Sequence, residues 1–391
     1  MPWKEKSVLS QKQKFIACYE SGKFTKTDLC REFGISRVTG NEVIKRYETE
    51  GWDALGDKSS APRRHPNQTK ETVEEAILYQ RNKYPRWGAR KIRALLFRDE
   101  KIENDDIPSE VTVNHILKKN GMIVSRGKGR RRIENQNPYF DPTEPNQIWS
   151  CDFKGKFRMQ NRQYCNPLTV VDSMSRYIFA IEGLERADKE HSKPVFEKIF
   201  RENGLPEKMH SDNGPPFGNA VSLRRMTQLS VWLMEIGITP VYSDPGHPEQ
   251  NGRHERMHRE LKADCTRPAG KNLRSQQYKF NKFRKEYNTE RPHEALKMKT
   301  PAEVHIRSVR EYPRIIRDWD YEKKIQPKMV TVNGAIRWKN DLIMVSSALS
   351  GKYIGLEEID TGIFRVYYRM VELGIFNERT KRIYEIEDFN L

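Results

Sequence analysis

Three carboxylates occupy positions from which they could share one site. Asp152 lies in the run QIWSCDFKGKF, among Ile148, Trp149 and Phe153. A carboxylate buried among such neighbours is costly unless it has a partner. Asp212 closes the run KMHSD and opens into NGPPF, at the carboxyl end of a strand, where α/β sheets present ligands. Glu255 comes one turn into the helix expected after PGHPEQNG. Acidic groups converging on one spot repel unless cations neutralise them, and hard oxygen ligands select Mg²⁺ or Mn²⁺. Two such ions about 4 Å apart would activate water or a 3′-hydroxyl and stabilise the leaving oxygen of a phosphodiester. The chemistry expected is phosphoryl transfer on a nucleic acid.

Cations accompany these carboxylates. On a helix, Glu255, Arg259 and Lys262 fall at i, i+4 and i+7 and share a face. Lys154 and Lys156 alternate with Phe153 and Phe157, which on an extended strand puts both lysines on the face of Asp152. All four cations would meet phosphates beside the metals. Asn213 and Gly214 are read as shaping the loop beside Asp212, Asp172 as a turn carboxylate and His254 as packing.

The elements that must position this site form three kinds of segment. At 1–57 the apolar spacing predicts short helices: one ends at Phe33, Gly34 takes a tight turn, and Ser36 caps the next. This is helix-turn-helix grammar, and it puts Arg37, Thr39 and Asn41 near the start of the second helix, where such motifs meet base edges. The proline-bearing stretch at 58–68 reads as a linker. A second helix-turn-helix unit is expected at 69–125, with Ser109 as cap and Thr112, Asn114, His115 and Lys118 on its reading helix. The linker at 126–144 contains RGKGRRR, in which Arg126, Lys128, Arg130, Arg131 and Arg132 would lie along phosphates. From 145 to 305 strand-like runs alternate with helices (188–203, about 219–236, 251–266), an α/β core. A linker (306–328) then leads to strand signals over 329–391, with a hairpin turn at Asn333-Gly334, predicting a small all-β barrel.

The composition agrees with a polyanionic partner. The 391 residues hold 71 Lys plus Arg against 54 Asp plus Glu, a formal charge of +17. No apolar run is long enough to span a membrane, and MPWKEKSVLSQKQK carries charges where a signal peptide needs apolar residues. The expected location is a reducing cytosol, with no membrane partner. The five cysteines include no C-x2-C pair, so neither a disulfide framework nor zinc is expected.

WSCDFKG, HSDNGPPF and PGHPEQNGRHERMHRELK together resemble the D-D-E signature of transposases and integrases with a retroviral-integrase-type core. With CREFGISRVTG, KRYETEG and YNTERPHEAL added, nearly the whole chain resembles bacterial insertion-sequence transposases. The resemblance implies an RNase H-like core with Asp152, Asp212 and Glu255 as the catalytic, metal-holding triad. It further implies two Mg²⁺ ions, replaceable by Mn²⁺, binding to transposon-end and target DNA, and a homodimer or larger assembly on that DNA. The 42 residues between Asp212 and Glu255 exceed the family's usual spacing, and the excess is assigned to NAVSLRRMTQ. The alternative class is a catalytically inactive, domesticated transposase acting as a sequence-specific repressor.

If all five cations of RGKGRRR touch phosphates, replacing them with Gln flattens the dependence of log affinity on log salt by about 4, with specificity nearly unchanged. DNA titrations over several salt concentrations check this, and an unchanged slope would make the run a solvated spacer.

Overall fold

The computed structural model describes residues 8–56, 68–123, 141–219, 222–244 and 247–386. The chain divides into two compact units, Met1–Thr69 and Lys70–Leu391. RGKGRRR and most of the first linker lie outside the described residues.

In the first unit, α1 (Val8–Glu20), α2 (Lys26–Glu32) and α3 (Arg37–Glu50) close around Phe15, Ile16, Leu29, Cys30, Val43, Ile44 and Leu55. Gly34, at φ 64°, turns the chain between α2 and α3, and Ser36 accepts from the Thr39 N–H at 3.0 Å. A Cβ on Gly40 would stand 2.3 Å from Cys30 Sγ, so a residue without a side chain lets the two helices cross this closely. Val38, although apolar, is 71 % exposed. The reason is angular: Gly40, Val43, Ile44 and Tyr47 define the inward face, and position 38 lies opposite it.

The second unit begins with a helical bundle. Helices α4 (Glu71–Lys83), α5 (Ala89–Leu96) and α6 (Glu110–Lys119) bury Val73, Ile77, Ile92, Leu96, Val113 and Leu117. Ser109 caps α6 by accepting from the Thr112 N–H at 3.3 Å. The α5–α6 connection runs from 97 to 109, far longer than the turn of about 3–4 residues in a helix-turn-helix. The expected helices are therefore present around a different joint. The bundle is fastened to the core by Arg86–Asp264 at 3.1 Å, Arg98–Glu303 at 3.0 Å and a Tyr84 hydroxyl donating to Glu290.

The core is built on β1 (Ile148–Phe153), β2 (Phe157–Arg158), β3 (Tyr164–Asp172), β4 (Ile178–Leu184), β5 (Lys208–Ser211) and β6 (Thr239–Tyr242). Strands β1, β3 and β4 pair antiparallel, whereas β5 joins β1 in parallel and β6 joins β5 in parallel. This is the mixed sheet of an RNase H-like fold. Alternation along the strands sends Trp149, Cys151, Leu168, Val170 and Met209 to one face, beneath α7 (Lys189–Asn203) and α8 (Gln228–Glu235). The other face is covered by α9 (Gly252–Cys265) and α10 (Leu273–Thr289), which pack Met257, Leu261 and Phe280 against Cys165, Val171 and Ile181. Short α11 (Pro301–Val304) follows.

Helix α8 starts at Gln228 rather than near 219, because the intervening residues serve another purpose. Ser222 bonds Ser346 at 2.9 Å, the Arg224 N–H donates to Glu385 at 3.0 Å, and Met226 joins the core of the C-terminal sheet. That sheet runs β13-β12-β11-β10-β7, from β7 (Ile325–Met329), β10 (Tyr353–Asp360), β11 (Ile363–Tyr368), β12 (Val371–Asn377) and β13 (Arg382–Tyr384). The hairpin of β8 (Ala335–Trp338) and β9 (Asp341–Met344) folds onto it, linked by the single bridge Val330–Ile336. The expected barrel is thus a sheet with a hairpin closing over one core. It begins at Ile325, inside the segment expected to be linker, since Ile325–Met329 pairs along β10.

Gly334, in the expected Asn-Gly turn, has φ 81°, and a Cβ there would come within 2.5 Å of Ser347 N and 2.7 Å of Ser346 C. Gly334→Ala is expected to cost about 2–4 kcal/mol, combining left-handed strain with displaced backbone. Gly362→Ala, at φ 71° with nothing nearer than 3.5 Å, should cost only about 1 kcal/mol. Urea unfolding of both variants checks the contrast.

Candidate active site

Parallel pairing of β1 with β5 sets Ile148 against Lys208, Trp149 against Met209 and Ser150 against His210. Asp212 directly follows β5, so this pairing brings it toward Asp152 near the end of β1, close enough for its charge to act on that carboxyl. Asp152 ends up half-buried, with its side chain 17 % exposed. Burial, reinforced by the charge of Asp212, pushes its carboxyl up to about 7, and burial raises Asp212 as well. Gly214 N–H donates to Asp212 Oδ1 at 3.3 Å, and Asn213 ties the loop down by donating to the Ser243 carbonyl at 2.8 Å.

Helix α9 is seated on this pair by polar contacts. Asn251, its N-terminal cap residue, donates to Asp152 Oδ2 at 3.2 Å, and His258 Nδ1 lies 3.6 Å from the same oxygen. Opposite Asp152 on β3, the Thr169 hydroxyl donates to the Asp152 carbonyl at 2.9 Å. The Thr169 Oγ1 also meets His254 Nε2 at 2.6 Å and His258 Nε2 at 2.8 Å. Burial drives His258 down to about 3 and lowers His254 too, so both rings are neutral and can donate through Nε2–H.

Glu255 stands between Asn251 and His258 on that helix face, exposed to solvent. Among the described residues no three His, Cys, Asp or Glu side chains are gathered into a ready metal-binding group.

The expected neighbours sort themselves around this spot. Lys154 is half-buried, its charge disfavoured by burial and by Lys262 and favoured by Asp152, so all three stand together. Lys156 does not share that face. Strand β1 stops at Phe153, Gly155 takes φ 81°, and the Lys156 ammonium rests 5.1 Å from the centre of the Tyr164 ring. Arg259 and Lys262 are exposed on α9, and Arg259 makes no ion pair with Glu255. Asp172 is a turn carboxylate, accepting from Asn146 N–H at 3.0 Å and from Ser175 N–H at 2.7 Å. Asp244 is held by Gln250 at 2.6 Å.

Arg37, Thr39 and Asn41 are exposed on the first turns of α3, and Asn114, His115 and Lys118 on α6, while Thr112 is half-buried in its cap. Arg126, Lys128, Arg130, Arg131 and Arg132 fall outside the described residues. The sequence reading missed Asn251, His258 and Thr169. Their signal was available: the first two flank Glu255 at helical spacing, and Thr169 interrupts the apolar run of β3.

Several known proteins and family models are similar to this chain. Integrase core domain models match residues 142–248 and 236–301, a helix-turn-helix model matches 11–64 and a homeodomain-like model matches 39–117. The insertion element IS407 uncharacterized 31.7 kDa protein of Burkholderia multivorans is 23 % identical, over 61 % of this chain and 82 % of that protein. The Gag-Pol polyprotein of feline leukemia virus is 28 % identical over 50 % of this chain, which spans only 11 % of the polyprotein. The HTLV-2 integrase catalytic core domain, solved with magnesium, is 18 % identical with a TM-score of 0.34, over 42 % of this chain and 100 % of that one. A simian T-cell lymphotropic virus intasome chain is 12 % identical with a TM-score of 0.37, over 72 % of this chain and 97 % of that one.

Helix-turn-helix segments ahead of an RNase H-like integrase core define a DNA-handling class. Within it, the chain is a relative of the insertion-sequence transposases of the D-D-E type, with a retroviral-integrase-type core.

Native Asp152 takes up its proton near 7 whereas the unfolded residue does so near 3.8, so stability falls as pH rises between those values. Asp152→Asn is expected to flatten that fall and, at pH 8 without divalent metal, to raise stability by on the order of 1–3 kcal/mol. Thermal melts across pH check it.

Proposed function

We propose that this protein is a DNA transposase that binds the terminal inverted repeats of its element, cleaves the strands there and joins them to target DNA. The observations that support this reading are the burial of Asp152 within reach of the charge of Asp212 and the bond by which Asn251, four residues before Glu255, seats the start of α9 on Asp152. These side chains suit Mg²⁺: they are hard oxygen donors, and the charge repulsion that raises Asp152 is what a divalent cation relieves. Asp152, Asp212 and Glu255 would hold two Mg²⁺ ions, with Mn²⁺ as a substitute. When bound, such ions activate the attacking oxygen and stabilise the leaving one.

The chain's own groups do the rest. Asn251 fixes the Asp152 carboxylate, Thr169 with His254 and His258 locks α9 to the sheet, and Lys154 with Lys262 supplies positive charge for the phosphates that flank the reacting bond. The exposed first turns of α3 and of α6 read the element ends, and Arg259 adds a contact to the backbone. Cleavage and joining are both phosphoryl transfers, first to water and then to the released 3′-hydroxyl, so one set of carboxylates serves both. Two or more protomers assemble on the DNA, in the cytoplasm where the nucleoid lies.

Asp152→Asn, Asp212→Asn and Glu255→Gln are each expected to lower cleavage and joining by more than about 100-fold, beyond the effect typical of a metal's outer partners. Binding of end DNA should stay within about twofold, because phosphate and base contacts come from other residues. Incubating wild type and variants with end sequences, target duplex and Mg²⁺ tests this. Retained joining in any variant would remove that residue from the site, and Ca²⁺ should support assembly with little chemistry.

A further inference from the structure

Behind α9, on the side away from the carboxylates, lies a cavity of about 240 Å³ walled by Lys91, Arg176, Arg253, Arg256, Arg291 and His293. Its walls come from separate elements. Lys91 belongs to α5, Arg176 to the β3–β4 turn, Arg253 and Arg256 to α9, and the remaining two follow α10. Positions 253, 256 and 260 face away from 251, 255 and 258 on the same helix.

The charges in this cavity do not cancel. Its two carboxylates are already engaged, Glu260 with Arg291 and Glu294 with Arg90 at 3.2 Å, and Arg253 pairs with Asp141. Among the described residues, Lys91, Arg176 and Arg256 form no ion pair. Burial, with Arg291 adding to it, lowers Lys91 to about 8, and burial with Arg253 lowers Arg176 to about 10. Like charges gathered half out of water repel, and an anion among them relieves the repulsion. His293 Nε2 is buried there without a hydrogen-bond partner, and a neighbouring anion favours its protonated, donating form.

We infer that this cavity holds a phosphate of the DNA backbone, gripped jointly by the helical bundle and the core. Guanidinium forks match phosphate oxygens. DNA as the source rests on the proposed function; the anion site itself does not. A phosphate bound here would fix the bundle against α9 while Glu255 works on the opposite side of the same helix.

The test uses the full chain, with Lys91→Gln/Arg256→Gln against wild type and the charge-keeping Arg256→Lys. Inorganic phosphate should raise the melting temperature of wild type and Arg256→Lys more than chloride does at equal ionic strength, and the double variant should lose that excess. In chloride the double variant should melt no lower than wild type, because it loses repulsion, and this confirms that it folds. Its slope of log DNA affinity against log salt should flatten by about 0.9, one phosphate contact, and Arg256→Lys should keep the slope. No phosphate excess in wild type would overturn the site. A phosphate excess with an unchanged DNA slope would overturn DNA as its occupant, and neither result depends on cleavage or joining.

Discussion

The parallel pairing of β1 with β5 is the constraint on which the rest of the molecule turns. It brings two carboxylates to one end of the sheet, partly withdrawn from water, where burial raises both and the charge of Asp212 adds to the rise at Asp152. A fold does not keep such an arrangement by accident of packing, since asparagine at either position would relieve the strain. The surrounding polar groups are spent on holding it. Thr169, paired opposite Asp152, accepts two histidines of α9, and the helix is thereby pinned to the sheet by hydrogen bonds as well as by Met257 and Leu261.

That pinning explains why α9 has two distinct chemistries on one cylinder. Along the side next to Asp152 it carries Asn251, Glu255, His258 and Lys262, and toward the helical bundle it presents arginines. Its buried stripe is narrow, with His254, Met257, His258, Leu261 and Cys265. A helix this charged gains little from burial alone, so its orientation depends on directed bonds. Directed bonds set orientation more sharply than apolar contact does.

Much of this was legible in the sequence, for physical reasons that also mark where reading fails. Strand runs such as IWSCDF and LTVVD announce buried strands, and Ser36 and Ser109 cap helices where their types say they should. The carboxylates were legible because burial makes a charged residue in an apolar run conspicuous. Lys156 was misplaced because alternation was extended past Gly155, whose positive φ ends the strand. The late start of α8 was invisible because residues 222–226 are committed to partners more than a hundred residues away, and no local pattern encodes such a partner. Thr169 escaped for the same reason: its role depends on two histidines 85 and 89 residues further on.

The insertion before α8 and the sheet it meets are built as one piece. Met226, Val231 and Met234 share a core with Val330, Ile354 and Phe376, while Glu235 binds Lys352 at 2.5 Å and the Tyr368 hydroxyl at 3.0 Å. The C-terminal sheet is therefore no bead on a string. Shuffling it between relatives by recombination in the segment before Ile325 would deliver a sheet whose seat had evolved for another surface. Exchange would succeed only if the loop after Asp212 travelled with it, which ties the inheritance of the carboxyl-terminal segment to that of a catalytic-core loop.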